Sequence, residues 1–299
     1  MKASCRDIEI EYETFGHPDD PAIVLIMGLG GQLILWPEAF CRMLADAGHY
    51  VVRFDNRDIG LSTHLDHLPR PNLPLAALRQ ALRLPVRASY TLDDMADDVA
   101  GLLDALNIKQ AHVVGVSMGG MIAQLLAARH ATRVRSLTLL MTTSGARNVP
   151  GPSLGMRMEM IRRPRDTSRE GLIRHGMRTW RIIGSPTYPK PEAELRRIVA
   201  EGFDRAFHPA GFMRQLHAVL AAPSRAPLLP RIKQPADVIH GDADLLVPVA
   251  AARDLVRRLP NATLDIVPGM GHDFPTEIMP RIARRIVETA ARDPQRLAA

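Results

Sequence analysis

A serine between two glycines has the surroundings of a catalytic nucleophile. Ser117 lies in the Gly-x-Ser-x-Gly pattern of residues 115–119, after the apolar pair Val113-Val114 and before a helix-like run. A strained strand-to-helix turn at this place would present the serine hydroxyl as a nucleophile. The pattern is short, and a serine that merely caps a helix N-terminus would match it equally well. Its interpretation therefore depends on partners elsewhere in the chain.

An aspartate and a histidine downstream supply those partners. A serine hydroxyl is a weak nucleophile at neutral pH and needs a histidine base that an acid orients. Asp244 follows the apolar pair Val238-Ile239, and His272 follows the apolar run 264–267 and a glycine-rich turn. Ser117, Asp244 and His272 thus come in the order nucleophile, acid, base, each after a predicted strand, where open α/β sheets bind ligands. We interpret them as a catalytic triad.

Each partner also has an alternative. Asp242 stands just before Asp244, and either aspartate could instead cap the helix predicted to follow; we favour Asp244 as the acid. His272 could be a loop histidine without a catalytic role, although the glycines beside it let the backbone present its ring. The other histidines, His112 and His130 among them, are interpreted as surface or core residues.

Backbone amides for an oxyanion are predicted from two loops. In acyl transfer, N–H donors must stabilise the negative charge that develops on the carbonyl oxygen. The amide of Met118, directly after the nucleophile, is one expected donor. The apolar run 22–27 is typical of a buried strand and leads into the glycine-rich loop 28–31, where we expect the amide of Leu29 to be the second donor.

A parallel sheet is needed to bring these residues together. The runs 51–54, 113–116 and 137–141 are short, almost entirely apolar and separated by helix-like segments. This pattern predicts a parallel sheet covered by helices on both faces. Thr91-Leu92-Asp93-Asp94 resembles a capping box and predicts the start of one of these helices. The expected fold class is α/β, a mostly parallel sheet flanked by helices.

The segment 146–230 breaks this alternation. It is rich in Met, Arg and Pro, has helical character, and is followed by strand–helix alternation again from Ala236. We predict a helical cap over 146–230, inserted between two late strands of a core formed by 1–145 and 231–299. Such a cap would shape an apolar pocket above the strand ends, although its apolar residues could equally pack the cap on the sheet. The residues expected to contact substrate are Gly28, Trp36, Met177, Trp180 and Met213.

Together these segments resemble the α/β-hydrolase superfamily and, within it, bacterial esterases similar to aclacinomycin methylesterase. The resemblance is carried by 25–30, Trp36-Pro37, 53–62, the Ser117 turn, the Asp244 turn and 269–272. It extends from about residue 5 to about residue 290 and is thin between 146 and 230. It implies the α/β-hydrolase fold, a serine esterase activity, and nucleophile, acid, base and oxyanion donors at the residues chosen above.

Met27 marks a departure from the wider superfamily. It stands where many members carry a histidine before the oxyanion glycine. The methylesterase-like group shares this departure, so the resemblance to that group is kept. The segment 53–62 resembles a structural turn of the family, and we expect it to support the fold.

Composition and charge narrow the class of protein. The chain has 299 residues, 46% of them hydrophobic, and two cysteines, so we expect one large domain with no disulfide framework and no metal site. The net charge of +6 comes from basic residues dispersed over predicted helices, and we expect neither a nucleic-acid nor a membrane partner. No run approaches the ~18 apolar residues of a membrane span. The N-terminus lacks the apolar segment of a signal peptide, and the predicted location is the cytoplasm.

The function predicted from these features is cofactor-independent hydrolysis of carboxylic esters through an acyl-enzyme. The expected partner is a small-molecule ester with a short to medium acyl chain or a small alcohol group. A perhydrolase, a lactonase and a C–C bond hydrolase remain alternatives, because the same triad serves them. A ligand-binding receptor on a hydrolase scaffold is the alternative outside enzymes, and the sequence leaves a homodimer open.

Overall fold

An eight-stranded sheet organises the chain, and its strands follow the order β1-β2-β4-β3-β5-β6-β7-β8. The computed structural model describes residues 1–82, 84–160, 162 and 164–293, with only the backbone of Met160. The strands are β1 Lys2–Cys5, β2 Ile8–Phe15, β3 Ala22–Ile26, β4 Tyr50–Phe54, β5 Ala111–Val116, β6 Val134–Leu140, β7 Ala236–Gly241 and β8 Ala262–Val267. β1 and β2 pair antiparallel, whereas β3 to β8 are parallel to one another. The predicted α/β fold class is confirmed.

Helices lie between most of these strands. They are α1 Glu38–Asp46, α2 Leu73–Ala81, α3 Leu92–Ala105, α4 Met118–Arg129, α5 Leu154–Met160, α6 Arg169–Ile183, α7 Glu192–Arg205, α8 Pro209–Ala221, α9 Ala250–Arg258 and α10 Met279–Ala291. The capping box predicted for α3 is confirmed: the Thr91 hydroxyl accepts from the Asp94 amide at 3.1 Å, and the Asp94 carboxylate accepts from the Thr91 amide at 2.8 Å. Among the described residues, no helix is long and apolar enough to cross a membrane.

Both faces of the sheet are buried, which explains the nearly continuous apolar runs of its strands. Along β3, Val24 and Ile26 belong to one hydrophobic cluster, together with residues of α3 and α4. Ile23 and Leu25 belong to another, together with residues of α1 and α10. Successive side chains of a strand point to opposite faces, so a strand between two helical layers needs apolar residues throughout.

Helices α5 to α8 lie between β6 and β7 in the chain, as the predicted insertion requires. We refer to them as the inserted helices. They have a small apolar cluster of their own, in which Ile173, Met177 and Leu195 are buried against Trp180 and neighbouring side chains. The division of the chain into a core over 1–145 and 231–299 and a cap over 146–230 remains a prediction.

Ion pairs fasten the inserted helices to the loop after β4. Arg214 of α8 donates to both carboxylate oxygens of Asp58, at 2.7 and 2.8 Å. Arg205 of α7 donates to Asp55 at 2.7 Å. The Asp55 carboxylate also accepts from the amide of Leu33 at 2.7 Å. The segment 53–62 therefore contacts both the inserted helices and the loop that follows β3.

Candidate active site

Ser117 occupies a strained turn between β5 and α4. Its φ of 54° and ψ of −117° lie in a region that non-glycine residues rarely adopt. Two hydrogen bonds hold the turn: the Ser117 amide donates to the Leu140 carbonyl at 2.9 Å, and its carbonyl accepts from the Thr142 hydroxyl at 2.6 Å. The strained residue is thus fixed by β6 and the residues directly after it.

The glycines of the Gly-x-Ser-x-Gly pattern are required by close backbone contacts. A Cβ atom on Gly115 would lie 2.3 Å from the carbonyl oxygen of Gly119. A Cβ atom on Gly119 would lie 2.1 Å from the carbonyl oxygen of Ile26 in β3. Any side chain at these positions would push α4 away from the strands, so the pattern has a steric cause.

His272 and Asp244 form a hydrogen-bonded pair at the ends of neighbouring strands. The Asp244 Oδ2 atom lies 2.7 Å from His272 Nδ1, and the side chain of Asp244 is fully buried. Its other oxygen accepts from the amides of Leu246 and Val247, both at 2.8 Å. With Nδ1 bound to the carboxylate, the Nε2 atom of His272 is the nitrogen left to exchange a proton.

Asp242, the alternative acid, makes a different contact. Its Oδ1 atom accepts from the amide of Gly269 at 2.6 Å. The Asp242 amide in turn donates to the carbonyl of Val267 at 3.3 Å. Asp242 therefore joins the turn after β7 to the turn after β8. Among the described contacts, the aspartate that is hydrogen-bonded to His272 is Asp244.

A second buried histidine, His240, lies beside the pair. Its Nε2 atom is 2.7 Å from the carbonyl of Val247 and 3.5 Å from Asp244 Oδ2. Burial lowers the pKa of His240, although the Val247 carbonyl and the Asp244 charge oppose this. A neutral imidazole that donates to Val247 fits this site. Sequence reasoning missed His240, because a histidine in an apolar strand gives no signal of its neighbours.

The loop after β3 meets the nucleophile. A Cβ atom on Gly28 would lie 3.2 Å from Ser117 Cβ and 3.8 Å from Ser117 Oγ. Leu29 follows Gly28, and Met118 is the first residue of α4, where amides lack intrahelical acceptors. Within the described part of the chain, neither the Leu29 nor the Met118 amide donates a hydrogen bond. In that part of the chain, both predicted oxyanion donors are thus left without an acceptor. Leu29 directly follows Gly28 and Met118 directly follows Ser117, and it is Gly28 and Ser117 that lie side by side.

The histidine turn is braced by the segment that joins α6 to α7. The His272 amide donates to the carbonyl of Ile183 at 2.7 Å, and the Gly271 amide donates to the Ser185 hydroxyl at 2.9 Å. Ser185 donates its own proton to the buried carboxylate of Asp273. Burial raises the pKa of Asp273, while Ser185 opposes this shift. Sequence reasoning missed this brace, since Ser185 lies 88 residues from Asp273 in the chain.

The predicted substrate residues lie in several environments. Gly28 contacts the nucleophile, as described. Trp36 is 1% exposed and packs on Phe40, and Met177 is 4% exposed within the cluster of the inserted helices. Trp180 and Met213 are half-buried. Contact of these four side chains with substrate remains a prediction.

Among the described residues, three side chains outside the proposed triad form a cluster that could hold a metal ion. His64, Asp66 and His208 bring their ligand atoms within 4.8 Å of one another. The two imidazole rings are stacked, with centroids 3.9 Å apart and an interplanar angle of 6°. A metal ion binds the in-plane lone pair of an imidazole nitrogen, and parallel stacked rings cannot both direct their lone pairs at one ion. We therefore assign no metal to this cluster.

Comparison with known proteins agrees with this architecture. A family model described as alpha/beta hydrolase fold matches residues 21–277. The rhodomycin D methylesterases DauP of Streptomyces sp. (strain C5) and DnrP of Streptomyces peucetius are each 29% identical to the chain, over 94% of its length and 94% of theirs. The crystal structure of the enol-lactonase from Burkholderia xenovorans LB400 superposes with a TM-score of 0.74 at 24% identity, covering 97% of this chain and 100% of that one. At that identity the structural likeness concerns the fold alone.

Proposed function

The chain belongs to the α/β-hydrolase fold family, and from that premise we propose that it cleaves carboxylic esters through an acyl-enzyme on Ser117. Family membership and the methylesterase relatives make it a hydrolase of the ester-cleaving kind. We propose which residues are catalytic, in which order the steps occur, and which esters are substrates.

Each residue of the proposed triad has one task. Ser117 Oγ attacks the ester carbonyl while His272 Nε2 takes the hydroxyl proton, which it then gives to the departing alcohol. The buried Asp244 carboxylate holds the imidazole by Nδ1, at 2.7 Å, and stabilises the imidazolium that forms. Water then repeats the cycle on the acyl-enzyme and releases the acid and Ser117.

The negative charge of each tetrahedral intermediate needs fixed donors. The unengaged amides of Leu29 and Met118 would supply two hydrogen bonds to the oxyanion. The N-terminal end of α4 adds the partial positive charge of its helix dipole at the same place. Removing one such donor in a serine hydrolase typically costs about 10²–10³ in kcat.

The proposed substrates are esters with a small alcohol group, methyl included, and a short to medium acyl chain. Two relatives that match nearly the full chain are named methylesterases, which supports a small leaving alcohol. The Met-rich composition of the segment 146–230 supports an apolar acyl group of limited size.

The hydrogen bond between His272 and Asp244 is the observation that carries this proposal, together with the strained backbone of Ser117. Intact-mass spectrometry after treatment with a fluorophosphonate tests it without knowledge of the substrate. We expect a single adduct on Ser117 and none on a Ser117→Ala variant. A wild-type protein left unlabelled under conditions that label a known serine esterase would contradict the proposal and favour the receptor alternative.

A further inference from the structure

Helix α8 contacts the loop that carries the proposed oxyanion donor. Gln215 is fully buried, and its Oε1 atom accepts from the amide of Gly30 at 2.9 Å. Its Nε2 atom donates to the carbonyl of Arg57 at 2.9 Å. The two partners fix the orientation of the side-chain amide, because an N–H must face Oε1 and a carbonyl must face Nε2. Gln215 therefore joins the loop after β3 to the loop after β4.

The Gly30 amide belongs to the central peptide of a tight turn. The Gly31 amide donates to the Gly28 carbonyl at 3.1 Å, which makes Leu29 and Gly30 the two central residues. Gly30 has a φ of +68°, the conformation that a type II turn requires at its second central residue. Type I and type II turns differ by a flip of the central peptide, and the hydrogen bond from the Gly30 N–H to Gln215 opposes that flip.

The same face of α8 leaves this turn little room to move. A Cβ atom on Gly30 would lie 2.5 Å from Cδ2 of Phe212, and one on Gly211 would lie 1.9 Å from the carbonyl oxygen of Asp58. Gln215 follows Phe212 by three residues and Gly211 by four, which places it next to both on the helix surface. The paired Arg214 anchors α8 to Asp58 next to them.

We infer that Gln215 is a positioning residue for the oxyanion hole: by binding the Gly30 amide and the Arg57 carbonyl it holds the Gly28–Gly31 turn in place, so that the Leu29 N–H, which belongs to the Gly28–Leu29 peptide of that turn, stays directed at the ester oxygen. This inference rests on the proposed function and deepens it. Because the Gly30 amide is committed to Gln215, it is not itself a donor to substrate, and Leu29 is the donor of this loop.

Gln32 offers a matched control in the same loop. Its Nε2 atom donates to the carbonyls of Gly202 and Ala206, at 2.6 and 2.9 Å, so it also ties this loop to the inserted helices. Its side chain does not bind the Gly28–Gly31 turn in the described structure. A Gln32→Met variant therefore measures how activity responds when this loop loses a link to the inserted helices but the Gly30 amide keeps its hydrogen bond to Gln215.

The test compares Gln215→Met, Gln215→Glu and Gln32→Met on a p-nitrophenyl ester and on the thionoester with sulfur in place of the carbonyl oxygen. Sulfur accepts hydrogen bonds weakly, so the thionoester depends little on the oxyanion hole. We expect Gln215→Met to lower kcat for the oxygen ester about 10- to 100-fold with KM changed less than about threefold. The thionoester should lose much less, and Gln32→Met should stay within about threefold. Gln215→Glu should stay nearer to wild type than Gln215→Met, because burial opposite the Arg57 carbonyl favours the protonated carboxyl, which accepts from Gly30 and donates to Arg57.

Several outcomes would overturn the inference. The first is that Gln215→Met lowers kcat equally for the oxygen ester and the thionoester. The second is that Gln215→Met and Gln32→Met lower kcat equally, and the third is that Gln215→Met leaves the activity unchanged. A Gln215→Met chain that does not fold would assign the residue to folding and reject the positioning role. Fluorophosphonate labelling of the wild type separates the two proposals: no labelling rejects the proposed function, whereas labelling at equal rates in wild type and Gln215→Met rejects the inference alone.

Discussion

Asp242 and Asp244 are nearly adjacent in the chain and make different contacts. Asp244 is the aspartate bound to His272, while Asp242 binds the amide of Gly269. The turn after β7 thus separates two carboxylates of equal chemistry into a candidate catalytic group and a link between turns. The sequence favoured Asp244 and kept Asp242 as the alternative, because both residues follow the same strand.

Alanine variants at these residues distinguish their roles. Ser117→Ala and His272→Ala should each lower turnover of a p-nitrophenyl ester by about 10⁴ or more, because the members of a triad act as a unit. Asp244→Ala should cost less, since the histidine remains, and Asp242→Ala should change kcat little. Steady-state kinetics on folded variants measures all four. A severe loss in Asp242→Ala beside a mild one in Asp244→Ala would refute the assignment of the acid.

At the scale of elements, the site depends on how closely α4 approaches the sheet. The strained Ser117 turn is possible because Gly115 lets the Gly119 carbonyl of α4 approach β5, and Gly119 lets α4 approach the Ile26 carbonyl of β3. Helix α8 adds a contact through Gln215 to the loop after β3, and the segment between α6 and α7 adds one through Ser185 to the histidine turn. Loops from distant parts of the chain are thereby held in one arrangement.

A glycine pair tests the approach of α4. Gly119→Ala should destabilise the protein by about 1–3 kcal/mol and reduce activity, because its Cβ would lie 2.1 Å from the Ile26 carbonyl oxygen. Gly155→Ala in α5 is the control, since its Cβ would meet no atom within 4 Å. The control should be neutral or stabilising by up to about 1 kcal/mol. Urea unfolding of both variants decides the matter, and equal stabilities would count against the steric account.

The inserted helices should limit acyl-chain length. If they enclose an apolar site of limited size, hydrolysis of p-nitrophenyl esters should peak at short to medium chains. Each further methylene that stays outside the site forgoes about 0.8 kcal/mol of burial. A series from acetate to palmitate, run beside a panel of methyl esters, gives the profile. A maximum at palmitate, with activation at the lipid–water interface, would contradict this prediction and indicate a lipase.

For the molecule as a whole, buried charges join the inserted helices to the sheet. The side chains of Arg214 and Asp58 are 2% and 0% exposed. Burial alone would raise the pKa of Asp58, but bonds from Arg214 and the Leu65 amide outweigh it and hold the pKa below its ordinary value. Removing one member of such a buried pair leaves the other charge uncompensated, which typically costs about 3–5 kcal/mol.

Arg214→Met should therefore show a pH-dependent loss of stability. In the wild type the Asp58 contribution is present above the unfolded pKa, about 3.9, and is lost as pH falls through the lower folded pKa. In the variant, burial without Arg214 raises the folded pKa of Asp58, so stability is lost as pH rises through that value. We expect the difference in unfolding free energy to be largest near pH 7 and to shrink towards about pH 4.

Urea unfolding between about pH 4 and pH 7 measures this difference. Arg169→Met is the control, because Arg169 pairs with Asp204 on the exposed surface of the same helices. Its stability should follow that of the wild type at every pH, since exposed ion pairs contribute little. A constant deficit of Arg214→Met over the whole range would show that lost packing, and not the buried charge of Asp58, causes the effect.

The amino-acid sequence by itself determined the fold class and which residues are candidates for nucleophile, acid and base. The Gly-x-Ser-x-Gly pattern, the chain order of Ser117, Asp244 and His272, and the apolar strands are local signals, because each depends on the conformation or burial of a few consecutive residues. These signals placed the candidate groups at the ends of strands that the structure pairs in parallel.

Only the tertiary structure decided which residues support those groups. Gln215 lies 185 residues from Gly30, and Asp58 lies 156 residues from Arg214. Polar and charged residues on a helix are usually exposed to water, so nothing local marks Arg214 and Gln215 as buried. Their partners depend on how α8 docks on two loops, and that docking is set by the packing of the whole molecule.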